Sequence, residues 1–274
     1  MTACLIHISD LHRGAREVPA LDDALVGLCE ELSPEAVIAS GDLANRGRPS
    51  EFDAAKALLD RLPAPTLVVP GNHDLPYTLP ARCSRPWDRF TEVFGTTDPV
   101  LRTDHAVICG LNSARPWRHQ GGRLDASRLA AAAAALRDPP PNALRVVVLH
   151  HHLAGAPWRA SRKFPLKHRD GALRSLADAG AELILGGHIH QSTAVGRSAF
   201  EAFDGNAGAL VLATAPGFGR PRPHRLGEAN GLHVVRWTDD EIVIESRIWK
   251  SKAFETCSTF RVPRSNHAVS RDNV

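Results

Sequence analysis

Short apolar runs, each closing on a polar or glycine-containing turn, alternate along this chain with segments whose apolar residues recur at helical spacing. The runs Cys4 to Ser9, Ala36 to Ser40, Thr66 to Pro70, Arg145 to Leu149 and Glu182 to Gly186 read as buried strands, and another is expected around Ala106 to Leu111. Between them, Leu21 to Leu32 has the spacing of an amphipathic helix. The next helix is expected to be capped by Ser50, with Asp53 as its capping-box partner and Pro63 beyond its end. Pro86 to Phe94 predicts a third helix stopped by Gly95. Asp125 caps a fourth, Ala126 to Arg137, which is mostly alanine and leucine and ends at the prolines 139–141. Asp170 to Ala179 makes a fifth, ended by Gly180.

After His190 the pattern changes to strands at Thr193 to Val195, Ala209 to Ala213, Leu232 to Trp237 and Glu241 to Trp249, the last two joined as a hairpin through Asp239-Asp240. Asp10, Asp42 and Asn72 are spaced by about one βαβ unit of roughly 30 residues, which predicts parallel neighbours and the α/β class. Residues 1–263 are long enough to bury one core and are expected to form a single domain. The polar stretch from Arg264 lacks periodicity and is expected to be a disordered tail, 264–274.

The endings of the strand runs carry the chemistry. They are Asp10-Leu11-His12, Gly41-Asp42, Gly71-Asn72-His73-Asp74, His150-His151-His152 and Gly187-His188-Ile189-His190. At the ends of neighbouring strands such residues converge on one edge of a sheet. Imidazole mixed with carboxylate oxygen suits divalent transition metals, and no cysteine stands in these endings, which argues against a structural zinc site. Asp10, His12, Asp42 and His190 are the natural ligands of one ion. Asp42, Asn72, His150 and His188 are those of a second. A carboxylate shared as Asp42 would be holds two cations about 3.5–4 Å apart, the spacing for in-line displacement at phosphorus. Two divalent ions, less Asp10, Asp42 and a bridging hydroxide, leave about one positive charge for an anionic substrate. Taken singly, Gly41-Asp42 would pass for a turn and Asp10 for a helix cap. Their joint occurrence favours metal.

In this order the blocks resemble those of the calcineurin-like metallophosphoesterases: Asp-x-His, Gly-Asp, Gly-Asn-His-Asp/Glu, a histidine after a strand, then Gly-His-x-His, from Asp10 to His190. Within that superfamily the chain is most similar to the stand-alone class III cyclic-nucleotide phosphodiesterase type, a likeness extended by Ala213 to Arg225 and Asn230-Gly231. The resemblance implies a four-layer αββα sandwich of two mixed sheets flanked by helices. It also implies two divalent metal ions, manganese, iron or zinc, and hydrolysis of a phosphodiester by a hydroxide bridging them, a small diester such as a cyclic nucleotide being the first substrate class. His73, beside Asn72 and not needed for coordination, becomes the candidate to stabilise the transition state or protonate the leaving oxygen, with Asp74 fixing its tautomer. The family places proline after its histidine pair, whereas this chain has His152. Alignment on the strand end selects His150 as the ligand, with His151 as the alternative.

Composition adds boundaries. A net charge of +3 and a single tyrosine in 274 residues argue against a stable nucleic-acid partner, which would want a basic face or stacking aromatics. No run reaches bilayer-spanning length, so no transmembrane segment is expected. Met1-Thr2-Ala3 leads almost directly into the first strand, which reads as no signal peptide. Cys4, Cys29, Cys83, Cys109 and Cys257, an odd number without paired spacing, suit a reducing cytoplasm. Two basic loops, Trp158 to Arg169 and Gly217 to Arg225, lie near the His150 and His190 endings, and Arg220, Arg222 and His224 of the second are candidate substrate contacts. His7 reads as a core or edge residue, while His105, His119, His168, His233 and His267 read as surface residues.

Two alternatives stand beside a small anionic phosphoester as substrate. One is a larger phosphate ester or lipid-linked pyrophosphate, gripped by the Trp158 to Arg169 loop. The other is a non-catalytic protein-binding module of the same fold, disfavoured by a complete ligand set. A homo-oligomer is compatible with the sequence.

Overall fold

The computed structural model describes residues 3–15, 17–118, 120–154, 165–196, 210–219 and 229–264. Among these residues the strands are β1 (Ala3–Ile8), β2 (Ala36–Ala39), β3 (Thr66–Val68), β4 (Val100–Arg102), β5 (Ala106–Gly110) and β6 (Leu144–Val148), followed by β7 (Leu183–Gly186), β8 (Thr193–Gly196), β9 (Val211–Thr214), β10 (Gly231–Trp237), β11 (Glu241–Trp249) and β12 (Phe254–Pro263). They form two sheets of six strands, ordered β12-β11-β10-β1-β2-β3 and β4-β5-β6-β7-β9-β8. In the first, β1, β2 and β3 run parallel while β10 to β12 add an antiparallel meander to the free side of β1. In the second, β5, β6, β7 and β9 are parallel, with β4 and β8 antiparallel at the edges.

Alternation along the strands assigns the layers. Leu5, Ile38 and Leu67 of the first sheet meet Ile108, Val146, Val148 and Leu185 of the second in a core between the sheets. Ile6, Ile8, Val37 and Ala39 point the other way, onto Leu25 and Leu28 of helix α1 (Pro19–Leu32) and Phe52 and Leu58 of α2 (Pro49–Leu59). The outer face of the second sheet, with Val107, Val147 and Ile184, packs on α5 (Ala126–Ala135) and α6 (Arg169–Asp178) through Ala132, Leu173 and Leu176. Two short helices, α3 (Ala81–Ser84) and α4 (Asp88–Phe94), connect β3 to β4. This is the expected αββα sandwich. Strands covered on both faces read as continuous apolar runs, which is why β1 is buried along its whole length.

Some expectations change. Helix α2 starts at Pro49, and the Glu51 carboxylate, not Asp53, accepts from the Arg46 and Arg48 backbone amides. Proline is favoured at the first helical position because its missing N–H would have no partner there, and this outweighs Ser50 as a cap. Strand β12 was not foreseen: its exposed residues are mostly polar, and pairing along the whole of β11 is what orders them. His233 is fully buried in β10, opposite His7 of β1, and not on the surface. Its Nε2 lies 2.8 Å from Ser192 Oγ, while His7 Nε2 lies 2.9 Å from Ser40 Oγ. Arg264, placed in the expected tail, bonds Glu182 and the carbonyls of Asn142, Ala143 and Thr238. The rest of that tail, 265–274, lies outside the described residues. All five cysteines are free. No helix among the described residues is long and apolar enough to cross a membrane.

Candidate metal centre

Every candidate ligand stands just beyond the C-terminal end of a parallel strand, where the ladder continues for one or two bonds before the chain turns. Asp10 N donates to Gly41 O at 2.9 Å and His12 N to Asp42 O at 2.9 Å, tying the first two endings together. Gly187 N donates to His150 O at 2.9 Å and ties the last two. The turn at these endings is sharp. Asp10, His12, Asp42, His188 and His190 have φ of 56°, 46°, 53°, 73° and 56°. The left-handed region costs an L-residue on the order of 1–2 kcal/mol, and Asp and His are among the residues that enter it most readily. Glycines beside these ligands allow close approach: a Cβ on Gly187 would lie 1.8 Å from Ser9 Oγ and 2.7 Å from Asp10 Oδ2.

The side chains converge in three overlapping groups whose ligand atoms lie within 4.8 Å of one another: Asp10, His12 and His190; Asp42, His150 and His188; and His12, Asp42 and His73. The first and second groups each draw on both sheets, so the cluster sits across the seam between them. Each carboxylate has one oxygen committed to the protein and one facing the cluster. Asp10 Oδ2 accepts from Ser9 Oγ at 2.7 Å and from the backbone of His188 at 3.0 Å. Its Oδ1 faces His190 Nε2 at 3.1 Å. Asp42 Oδ1 accepts from His73 N at 2.8 Å, while Oδ2 lies 3.3 Å from His150 Nε2 and 3.8 Å from His12 Nε2.

This arrangement fits a cation. His150 Nδ1 donates to Ser40 O at 2.8 Å, so in the neutral ring the Nε2 lone pair points at Asp42. Asn72 is buried and its Oδ1 has no hydrogen-bond partner among the described residues. Lone pairs brought face to face in a buried pocket are destabilising unless positive charge lies among them. The electrostatics of these side chains agree. Burial opposes the ionisation of Asp42, yet His150 and His73 hold it well below the usual carboxylate range. Burial likewise opposes a charge on His150, but Asp42 raises it to about 9. A proton there does part of the work that a metal ion would do. Burial lowers His12 to about 3, despite the nearby Asp42 carboxylate. Neutral imidazole is the ligating form.

The structure places the neighbouring candidates differently. His150 joins Asp42 and His188, while the Nδ1 of His151 lies 2.8 Å from Ser113 Oγ. His152 stacks on His188 with ring centroids 5.8 Å apart. His73 Nδ1 donates to Asn45 O at 2.8 Å. The tautomer contact expected of Asp74 is therefore made by a backbone carbonyl. Asp74 instead accepts from Ala44 N at 2.8 Å and Gly71 N at 2.7 Å, bracing the loop that carries Asn72. Burial and the charge of Asp42 raise it to about 7, against those two amide donors. Ser40, Asn45 and Ser113 were missed because two act through backbone carbonyls and the third through a hydroxyl from a distant turn. Arg220, Arg222 and His224, and Trp158 to Phe164 of the other basic loop, lie outside the described residues.

Two mixed sheets between helical layers, with a His/Asp cluster suited to metal at the strand ends, define the metallophosphoesterase class. The chain belongs to the calcineurin-like phosphoesterase family, whose model matches residues 5–192. It is 28% identical over 134 residues to a protein of Synechococcus named as a probable cyclic nucleotide phosphodiesterase, covering 44% of this chain and 48% of that one. It is 38% identical over 80 residues to the glycerophosphodiester phosphodiesterase GpdQ of Enterobacter lignolyticus, covering 26% of this chain and 29% of that one. The matches therefore span less than half the length of either curated relative. Among solved structures, the purple acid phosphatase PPD1 of yellow lupin (Lupinus luteus) seeds superposes with a TM-score of 0.70 at 12% identity, over 97% of this chain and 54% of that one, a likeness of fold.

Proposed function

We propose that this chain hydrolyses phosphodiesters at a centre of two divalent cations, with a small diester such as a cyclic nucleotide as substrate. One ion is held by Asp10, His12, Asp42 and His190, the other by Asp42, Asn72, His150 and His188. The observation that carries the reading is Asp42 Oδ2, which faces His150 from one group and His12 from the other. A bridging ligand needs that position. Relatives named for cyclic-nucleotide and glycerophosphodiester hydrolysis support the diester. The five free cysteines suit a cytoplasmic setting.

Bound divalent ions would supply Lewis acidity toward a phosphoryl oxygen and a water acidified from a pKa of about 15.7 toward 7. The chain supplies position and proton control. His73, held through Nδ1 by Asn45, groups with His12 and Asp42, where its imidazole can donate to a phosphoryl or leaving oxygen. Asp10 and Asp42, each with one oxygen occupied by protein donors, keep the other oriented toward the cations.

The test pairs metal analysis with a panel of phosphate mono- and diesters. Two equivalents of metal and diester turnover are expected, both lost in Asp42→Ala. Full metal content in that variant would sink the bridging assignment, and metal binding without turnover of any ester would favour a binding module.

A further inference from the structure

Among the described residues, large apolar side chains left in solvent are few, and two of them stand on neighbouring loops. Tyr77, the single tyrosine of the chain, is 66% exposed and Trp117 is 73% exposed. Isolated exposed rings would mean little. These two are seated by a buried cation. Arg82, only 6% exposed, donates through Nε to Pro116 O at 2.6 Å and through Nη1 to Pro76 O at 3.2 Å. Its remaining nitrogen reaches Arg118 O at 3.4 Å. Among the described residues no carboxylate pairs with it, and burial lowers its pKa. A guanidinium removed from water without a counter-ion is costly. What it secures here is the relative position of the backbone beside Tyr77 and the backbone beside Trp117.

The chain runs from the candidate metal centre directly into this pair of loops. Tyr77 follows the ligand-bearing loop Asn72-His73-Asp74 by three residues, and the Arg46 guanidinium lies 5.7 Å over its ring. Arg46 itself follows Asn45, whose carbonyl holds His73. A positive charge and an aromatic face thus stand next along the chain to the residues that carry and hold the His73 imidazole. Aromatic rings beside a cation are how proteins take up a nucleobase without reading its sequence of donors, since every base offers a π face.

We propose that Tyr77 and Trp117, seated on Arg82 and flanked by Arg46, form a stacking subsite for the planar base of a nucleotide ester whose phosphate lies at the metal centre. The subsite deepens the phosphodiesterase reading and rests on it for the position of the phosphate. Its test separates the two. The manganese-loaded protein is titrated with 5′-AMP and with ribose 5-phosphate, which lacks the base, and cyclic AMP and glycerophosphoethanolamine turnover are measured alongside. Tyr77→Ala and Trp117→Ala should each lower the preference for AMP over ribose 5-phosphate by about ten- to a hundredfold, the usual effect of deleting a stacked ring. Tyr77→Phe should restore it, because the ring and not the hydroxyl makes the contact. An unchanged preference in both alanine variants overturns the subsite whatever the turnover. So does loss of binding to phosphatidylglycerol vesicles with AMP affinity intact, which would assign the rim to a lipid surface. If wild-type protein turns over neither diester while the AMP preference depends on Tyr77, the subsite stands and the phosphodiesterase reading fails.

Discussion

Replacing Gly71 by alanine tests whether the centre depends on the close approach of two loops. Gly71 does not occupy the left-handed region, so the substitution acts through space alone. The added Cβ would lie 2.2 Å from Asp42 Oδ1 and 2.4 Å from Asp42 N, against ordinary van der Waals contact from 3.4 Å outward. Something must move by about 1 Å. Asp42 has little freedom to do so, because its carbonyl accepts from His12 and the neighbouring Gly41 carbonyl accepts from Asp10. The shift is therefore passed to three candidate ligands at once. Overpacking of this kind costs about 1–3 kcal/mol of stability, and a misplacement of about 1 Å at a catalytic group costs on the order of a hundredfold in rate. Gly27→Ala is the matched control, since nothing lies within 4 Å of its Cβ and it sits inside α1. It should stabilise the fold by roughly 0.5–1 kcal/mol. Thermal melting, metal content after dialysis and diester turnover should be measured on both variants. A Gly71→Ala protein with full metal content and activity within about threefold of the parent would refute the reasoning.

Three further outcomes are expected. Burial lowers His233 from 6.5 to about 3, so the folded chain refuses a proton that the unfolded chain accepts. That contribution is intact above about pH 6.5 and is lost as pH falls toward 3, by roughly 5 kcal/mol in all; His233→Gln should flatten the acid side of a denaturant-derived stability profile, and an unchanged slope would contradict it. Chelation should lower the melting temperature by on the order of 10 °C, since each ion present at about a hundred times its Kd contributes about 2.7 kcal/mol. An equal melting temperature with and without chelator would deny a metal-filled native state. His73→Asn should reduce kcat by about a hundred- to ten-thousandfold while metal content holds. Loss of metal would make His73 a ligand.

The sheet core and the five endings that carry the candidate ligands were legible because strands buried on both faces leave uninterrupted apolar runs, and a polar residue closing such a run stands out. Strand-end alignment selects His150 and leaves His151 as the alternative. Adjacent residues at a strand end differ only in the side to which they point, and that is fixed by Ser40 and Ser113 on other strand ends. His233 was misjudged although its strand contains the answer: it alternates with Leu232 and Val234 and shares the inward face with Val235. Its position was readable, while its partner Ser192 was not. The misplaced start of α2 has a local cause, two overlapping start motifs of which the one with proline and Glu51 prevails. Strand β12 gave no apolar run because it is an edge strand, ordered by its neighbour.

The order of strands divides the polypeptide's labour unevenly. Its second sheet is an interruption of the first, whose remaining half, β10 to β12, arrives only after His190 and brings no candidate ligand. A fragment stopped at residue 192 would keep every candidate ligand and leave the far edge of β1 bare, with unpaired amides and carbonyls open to aggregation. The candidate metal cluster and the strands that seal its sheet are thus encoded in different stretches of the chain.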